Sequence, residues 1–292
     1  MKHLLQGTGV ALVTPFDQNQ EVDYNGLANV IEHVVNGKVE YVVLLGTTGE
    51  SVTLSNSEKN RILDFSIERI NGRVPIVAGF GGNSTHSVIQ SIQSRSFDGI
   101  DAILSVSPYY NKPTQEGIFE HYSMIANESP LPIILYNVPS RTSSNINAST
   151  TLRLAQHPNI MATKEASGDF TQVMDILKDK PDDFQVISGD DLTTLPLVAL
   201  GVSGVISVIA NAYPFEFSEL TRHALNGDFK QAGNIHFSLM SLMKLIFEEG
   251  NPAGVKSVLN SMGVCEPHVR LPLVNASDSL TEKIQEQISL AL

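Results

Sequence analysis

The feature that most constrains this chain is a series of eight short apolar runs, each followed by a loop and then a stretch with helical spacing. The runs are Gly9-Val-Ala-Leu-Val-Thr-Pro15, Tyr41-Val-Val-Leu-Leu45, Val74-Pro-Ile-Val-Ala78, Ala102-Ile-Leu-Ser-Val106, Pro132-Ile-Ile-Leu-Tyr136, Ile160-Met-Ala162 leading to Lys164, Phe184-Gln-Val-Ile-Ser188 and Gly204-Val-Ile-Ser-Val-Ile209. Between them, Leu27, Val30, Ile31 and Val34 recur at helical intervals, as do Ile62, Phe65 and Ile70, with Ser57 a candidate cap. The runs are continuous rather than alternating, which is how parallel strands covered on both faces read. Eight such units point to an α/β fold, a (β/α)8 TIM barrel over residues 1–226. A doubly wound sheet has the same periodicity, because spacing does not register closure. Residues 229–249, 253–262 and 280–292, broken at Asn251-Pro252, are expected to be helices. They form a C-terminal appendage (227–292) packed on the barrel as part of one structural unit.

A chain of 292 residues with 42% hydrophobic and 17% charged residues can bury a large core and is no disordered segment. The net charge of −12 argues against nucleic acid or an anionic membrane as partner. An anionic substrate would then depend on a few local cations. The single cysteine, Cys265, allows no intrachain disulfide and reads as a small buried apolar residue. Histidines are scattered without metal-ligand spacing, so no metal is expected. Gly7-Thr-Gly9 interrupts the early apolar residues, and no apolar run approaches the ~20 residues that cross a bilayer. A cytoplasmic location is expected.

Lys164 stands where the sixth strand should stop, within Asn159-Ile-Met-Ala-Thr-Lys-Glu-Ala-Ser-Gly-Asp169. Taken alone, it reads as a strand-end lysine that snorkels to solvent. In a barrel, however, active-site groups come from the C-terminal strand ends. There, desolvation favours a neutral, nucleophilic amine that can form a Schiff base with a carbonyl. Tyr136 ends the neighbouring strand and places a phenol beside that amine, where imine chemistry needs a proton shuttle. Thr47 and one of Tyr109 or Tyr110 are candidate hydroxyl relays. The turn Gly46-Thr-Thr-Gly-Glu50 could hold a carboxylate on backbone N–H groups and hydroxyls, and Arg141 could clamp a second one. The turn lacks a P-loop lysine, and Gly79-Phe-Gly-Gly82 lacks the dinucleotide fingerprint. Asp190-Asp191 is expected to cap the helix that follows it.

Five motifs, Gly46-Thr-Thr-Gly-Glu50, Pro108-Tyr-Tyr-Asn111, Tyr136-Asn-Val-Pro-Ser-Arg-Thr142, Lys164-Glu-Ala-Ser-Gly168 and Gly204-Val-Ile-Ser207, together resemble the dihydrodipicolinate synthase family. The resemblance spans nearly the whole chain. It implies a class I aldolase-type lyase that condenses pyruvate with L-aspartate 4-semialdehyde in diaminopimelate and lysine biosynthesis. By it, Lys164 forms the Schiff base with pyruvate, so no cofactor is expected; Tyr136 donates and accepts protons, and Thr47 and Tyr110 complete the relay. Thr48 and Ile206 contact pyruvate, and Arg141 holds the semialdehyde carboxylate. It also implies a homotetramer of tight dimers, with Tyr110 reaching into a neighbouring subunit's site. N-acetylneuraminate lyase and keto-deoxy-sugar aldolases share the lysine and tyrosine. Thr47 in place of serine, and Arg141, favour the synthase. A non-catalytic pyruvate-binding barrel is a further alternative. In lysine-inhibited members a histidine and a glutamate line the effector pocket, where this chain has Lys59 and Ser87 beside Ser51, Asn83 and Tyr109. Weak or absent lysine feedback is expected.

Overall fold

A computed structural model describes residues 4–290 of the chain. Eight parallel strands, β1 (Gly7–Ala11), β2 (Tyr41–Leu44), β3 (Ile76–Gly79), β4 (Ala102–Val106), β5 (Ile133–Asn137), β6 (Ile160–Glu165), β7 (Gln185–Ser188) and β8 (Gly204–Ser207), close into a barrel in sequence order. Closure is made by β1 and β8, where Gly7 stands opposite Gly204 and Val10 opposite Ser207. A doubly wound sheet has no such pairing, so the fold is a TIM barrel. The outer layer comprises α1 (Tyr24–Asn36), α2 (Asn56–Ile70), α3 (Thr85–Gln93), α4 (Gln115–Glu128), α5 (Pro139–Thr142), α6 (Ala148–Leu154), α7 (Phe170–Asp179), α8 (Thr194–Ala199) and α9 (Pro214–Leu225). Then follow α10 (Phe229–Glu248), α11 (Ala253–Ser261) and α12 (Asp278–Leu290).

Two local expectations shift. The first strand is Gly7–Ala11 rather than 9–15. Pro15 has no N–H to give a ladder, and the Thr14 hydroxyl turns away to donate to the Gly49 carbonyl at 2.8 Å. The cap of α2 is Ser55, not Ser57. The Ser55 hydroxyl accepts from Glu58 N–H while the Glu58 carboxylate accepts from Ser55 N–H, a reciprocal box that satisfies two orphan donors.

The interior of the barrel holds Val43, Val77, Leu104, Ile134, Ala162, Ile187 and Ile206. Outside it, Leu239, Leu242, Met243 and Ile246 of α10 share one apolar cluster with Val255 and Val258 of α11, Leu280 and Ile284 of α12, and residues of α1 and α9. All eight of these C-terminal side chains are essentially inaccessible to solvent. At ~1.5–3 kcal/mol for each fully buried aliphatic side chain, the C-terminal helices are bonded into the same core as the barrel. Cys265 is buried at its edge.

The Asp190-Asp191 pair divides its work. Asp190 accepts from Thr193 N–H at 3.1 Å, at the start of α8 as expected. Asp191 departs from the expectation: its carboxylate reaches across the strand ends to accept from Val208 and Ile209 N–H at 3.1 and 2.8 Å. It thereby caps the single turn of helix at Ile209–Asn211 that follows β8. Complete burial pushes its carboxyl up to about 6. The folded chain therefore holds that proton more tightly than the unfolded chain. The group's contribution to stability is full below about pH 4 and is lost as pH rises through about 6. Relative to an Asp191→Asn variant, the native chain should lose up to about 3 kcal/mol between pH 4 and pH 7. Urea unfolding at both pH values checks this, and a pH-independent difference would contradict it.

Candidate active site

Side chains alternate in and out of a barrel wall, and pairing fixes which residues stand level. Tyr136 pairs with Lys164, and Asn137 with Glu165. Tyr136 and Lys164 face the interior; the Lys164 ammonium nitrogen lies 4.3 Å from the centroid of the Tyr136 ring, over its face. Lys164 is only 5% exposed and Tyr136 6%. One residue further, Asn137 and Glu165 face the helix layer. There the Asn137 amide donates to Glu165 at 3.0 Å, joined by Ser167 N–H at 2.7 Å and the Gln172 amide at 3.2 Å. Burial pushes the Glu165 carboxyl up, and these bonds oppose the shift.

The lysine and the phenol open onto a cavity of about 210 Å³ at the C-terminal mouth of the barrel. Thr47, Thr48, Arg141, Gly189 and Asn251 complete the part of its wall that bears on chemistry. Arg141 comes from α5, which Pro139 starts at its first position, and its side chain is exposed. Thr47 and Thr48 come from the 46–50 turn. Thr48 is buried, and its hydroxyl accepts from the Asn251 amide at 3.0 Å. Five of the seven expected site residues thus share one cavity. The other two line neither this cavity nor the one adjoining it. Ile206 is buried in the interior cluster that includes Tyr136. Tyr110 is 87% exposed on the loop after β4, with a left-handed φ of 74°.

Spacing along the sequence did not single out Gly189 or Asn251. A Cβ on Gly189 would lie 2.6 Å from the Ala166 Cβ and 3.0 Å from the Lys164 Cε. The absent side chain is what lets the lysine stem pass β7. A glycine immediately after a barrel strand is a readable signal for such a close approach. Asn251, in the break between α10 and α11, carries no comparable signal.

A second cavity of about 760 Å³ adjoins the first, sharing Thr47, Tyr136 and Arg141 with it. Ser51, Lys59, Asn83, Ser87 and Tyr109 all line it. Burial pushes the Lys59 amine below the ordinary lysine range. Among the described residues, no three or more His, Cys, Asp or Glu side chains gather to hold a metal ion. No helix among them is long and apolar enough to cross a membrane.

A nearly dry lysine beside a phenol, at the C-terminal mouth of a closed parallel barrel, is the equipment of a class I aldolase-type lyase. The chain belongs to the dihydrodipicolinate synthetase family, whose model matches residues 4–291. It is 53% identical to a 4-hydroxy-tetrahydrodipicolinate synthase of Parabacteroides distasonis, over 97% of this chain and 95% of that protein. Dihydrodipicolinate synthase from Aquifex aeolicus superposes with a TM-score of 0.94 at 43% identity, covering 99% of both chains. The chloride-inhibited dihydrodipicolinate synthase from Acinetobacter baumannii, complexed with pyruvate, superposes at 0.95 with 39% identity, covering 98% of this chain and 99% of that one.

A Gly189→Ala variant would press its Cβ on both the Ala166 Cβ and the Lys164 stem, so the lysine should shift from its place beside Tyr136. A misplacement of about 1 Å costs roughly 100-fold in rate, so borohydride trapping of a small α-keto acid on Lys164 should slow by about that factor. Trapping at the native rate would show that the close approach does not set the lysine's position.

Proposed function

We propose that this chain condenses pyruvate with L-aspartate 4-semialdehyde, the activity of a 4-hydroxy-tetrahydrodipicolinate synthase in diaminopimelate and lysine biosynthesis. The observation that carries the reading is the pairing of Tyr136 with Lys164 on a cavity that Thr47, Thr48 and Arg141 also line. Lys164 Nζ adds to the pyruvate ketone, and the carbinolamine loses its hydroxyl as water to leave an imine. Removal of a methyl proton gives the enamine, whose carbon adds to the aldehyde of the semialdehyde while the aldehyde oxygen takes a proton. The semialdehyde's amine then closes on the imine carbon and releases Lys164. Each step moves a proton near Lys164. Tyr136 is the group placed to carry it, with Thr47 and Tyr110 as its relay. The covalent carrier is the lysine, so the reaction needs no cofactor.

Thr48, in the turn, and Ile206 take the pyruvate. Arg141, with its planar fork at the cavity wall, suits a carboxylate on the second substrate. That cation favours the synthase over an N-acetylneuraminate or keto-deoxy-sugar aldolase, whose polyol tail gains little from it. A barrel that merely bound pyruvate would have no use for a desolvated amine beside a phenol. The exposure of Tyr110 suits a side chain that completes a neighbouring subunit's relay, within a cytoplasmic homotetramer built as a dimer of dimers.

Borohydride reduction in the presence of pyruvate should fix an adduct on Lys164, detected by mass spectrometry of the Lys164 peptide. Offered in parallel, the semialdehyde should be consumed and N-acetylneuraminate left intact; turnover of the sugar alone would overturn the choice. Lysine feedback should be weak. In the outer cavity Lys59 adds a cation, and Ser87 offers no carboxylate to hold a cationic amino acid. Half-inhibition by lysine at sub-millimolar concentration would contradict this.

A further inference from the structure

The catalytic turn is held from a distance. Glu50 closes the 46–50 turn, whose own bonds are few: Gly49 N–H donates to the Gly46 carbonyl and Glu50 N–H to the Thr47 carbonyl, each at 3.1 Å. Glu50 sits in the left-handed region, φ 50° and ψ 34°, which a residue with a side chain keeps only when its surroundings over-determine it. Its carboxylate is buried, and both oxygens are engaged. One accepts from the Lys256 ammonium at 2.6 Å, the other from the Arg270 backbone N–H at 2.9 Å. Lys256, on α11, is 0% exposed. It also donates to the His268 carbonyl at 2.7 Å and lies 4.4 Å from the centroid of the Phe16 ring. A buried ion pair is a poor device for stability, because desolvation offsets most of the attraction; its best-attested use is to fix one arrangement among several. Here the arrangement fixed is that of two threonines on the cavity wall. The Asn251–Thr48 bond ties the same turn to the same C-terminal segment.

We propose that the buried Glu50–Lys256 pair positions the catalytic turn, so that Lys256 acts through Glu50 to set Thr47 and Thr48 against Lys164. Neither Glu50 nor Lys256 lines the cavity described above. Both are positioning residues. The inference rests on the synthase reading, in which Thr48 takes pyruvate and Thr47 relays protons. It separates the two substrates: pyruvate depends on the turn, whereas the semialdehyde's carboxylate depends on Arg141 of α5, which the turn does not hold.

The test is a Glu50→Gln/Lys256→Met double variant of the full chain, which leaves no orphan buried charge. Melting temperature, kcat and the KM of each substrate are measured beside the native protein. The expected result is a melting temperature near native and a kcat lower by roughly 100-fold. KM for pyruvate should rise about tenfold while KM for the semialdehyde stays within about twofold. Native kcat and native pyruvate KM would overturn the proposal. So would equal increases in both KM values, the signature of general loosening. If the double variant does not fold, Glu50→Asp, which keeps the charge and shortens the reach by one methylene, is read for the same pyruvate-selective shift; its absence there is equally fatal. Borohydride trapping of pyruvate on native Lys164 serves as the control. If the native protein fails to trap pyruvate, the synthase reading falls; if it traps pyruvate and the variants match it, only the positioning role falls.

Discussion

The site depends on the register between two neighbouring strands. Ile133 stands opposite Ile160, but Ile134 stands opposite Ala162, because β6 carries one extra residue at that point. Without that irregularity, Tyr136 would stand level with Thr163, which faces out of the barrel. With it, the phenol meets the amine. The same step carries Asn137 to Glu165, so one bulge sets both the Tyr136–Lys164 pair inside the wall and the hydrogen-bonded pair outside it. The outer pair also resists slippage. Sliding β6 by one residue would turn the Glu165 carboxylate into the barrel and strip it of the Asn137, Ser167 and Gln172 donors. Each buried polar group left unpaired costs ~1–3 kcal/mol, more for a charged one.

Three carboxylates near the strand ends share a plan. Glu165 ties the last residue of β5 to the loop after β6, Asp191 holds the turn after β8, and Glu50 is grasped by the C-terminal segment. None has its main partners in its own strand. Apart from Tyr136 and Lys164, the interior of the barrel is packed with aliphatic side chains such as Val43, Val77, Ile134 and Ile187. These buried acids tie particular strand ends and turns to particular partners.

Much of this was legible in the sequence, and the boundary has a physical basis. Continuous apolar runs and helical spacing report burial on two faces, so the eight units and the three C-terminal helices were readable from Val, Ile and Leu positions alone. Tyr136, Lys164, Thr47, Thr48 and Arg141 were readable because each lies at or just after a strand end, the one place in a barrel where chemistry gathers. Closure was not readable, since it lies in the Gly7–Gly204 pairing and not in any local period. The partners of Glu50 and Asp191 were hidden for the same reason. Lys256 lies 206 residues from Glu50, and Val208 lies 17 from Asp191 on a different strand end. Pro15 and Ser57 misled at element boundaries, where a side-chain hydrogen bond decides between neighbouring residues.

The link from Glu50 to Lys256 also sets a schedule. A ribosome adds about 5–20 residues per second, so the glutamate emerges roughly 10–40 s before its lysine. The six strands β3 to β8 are synthesised in that interval, after β1 and β2, and a nascent barrel can close while this carboxylate still lacks its cation. The turn that carries Thr47 and Thr48 gains its ion pair only once α11 has been made and docked, and the bond from Arg270 N–H later still. Barrel closure and the anchoring of this turn are thus separate events in the life of each chain, divided by the stretch from the end of β8 to Lys256, although Glu50 and Lys256 end 2.6 Å apart.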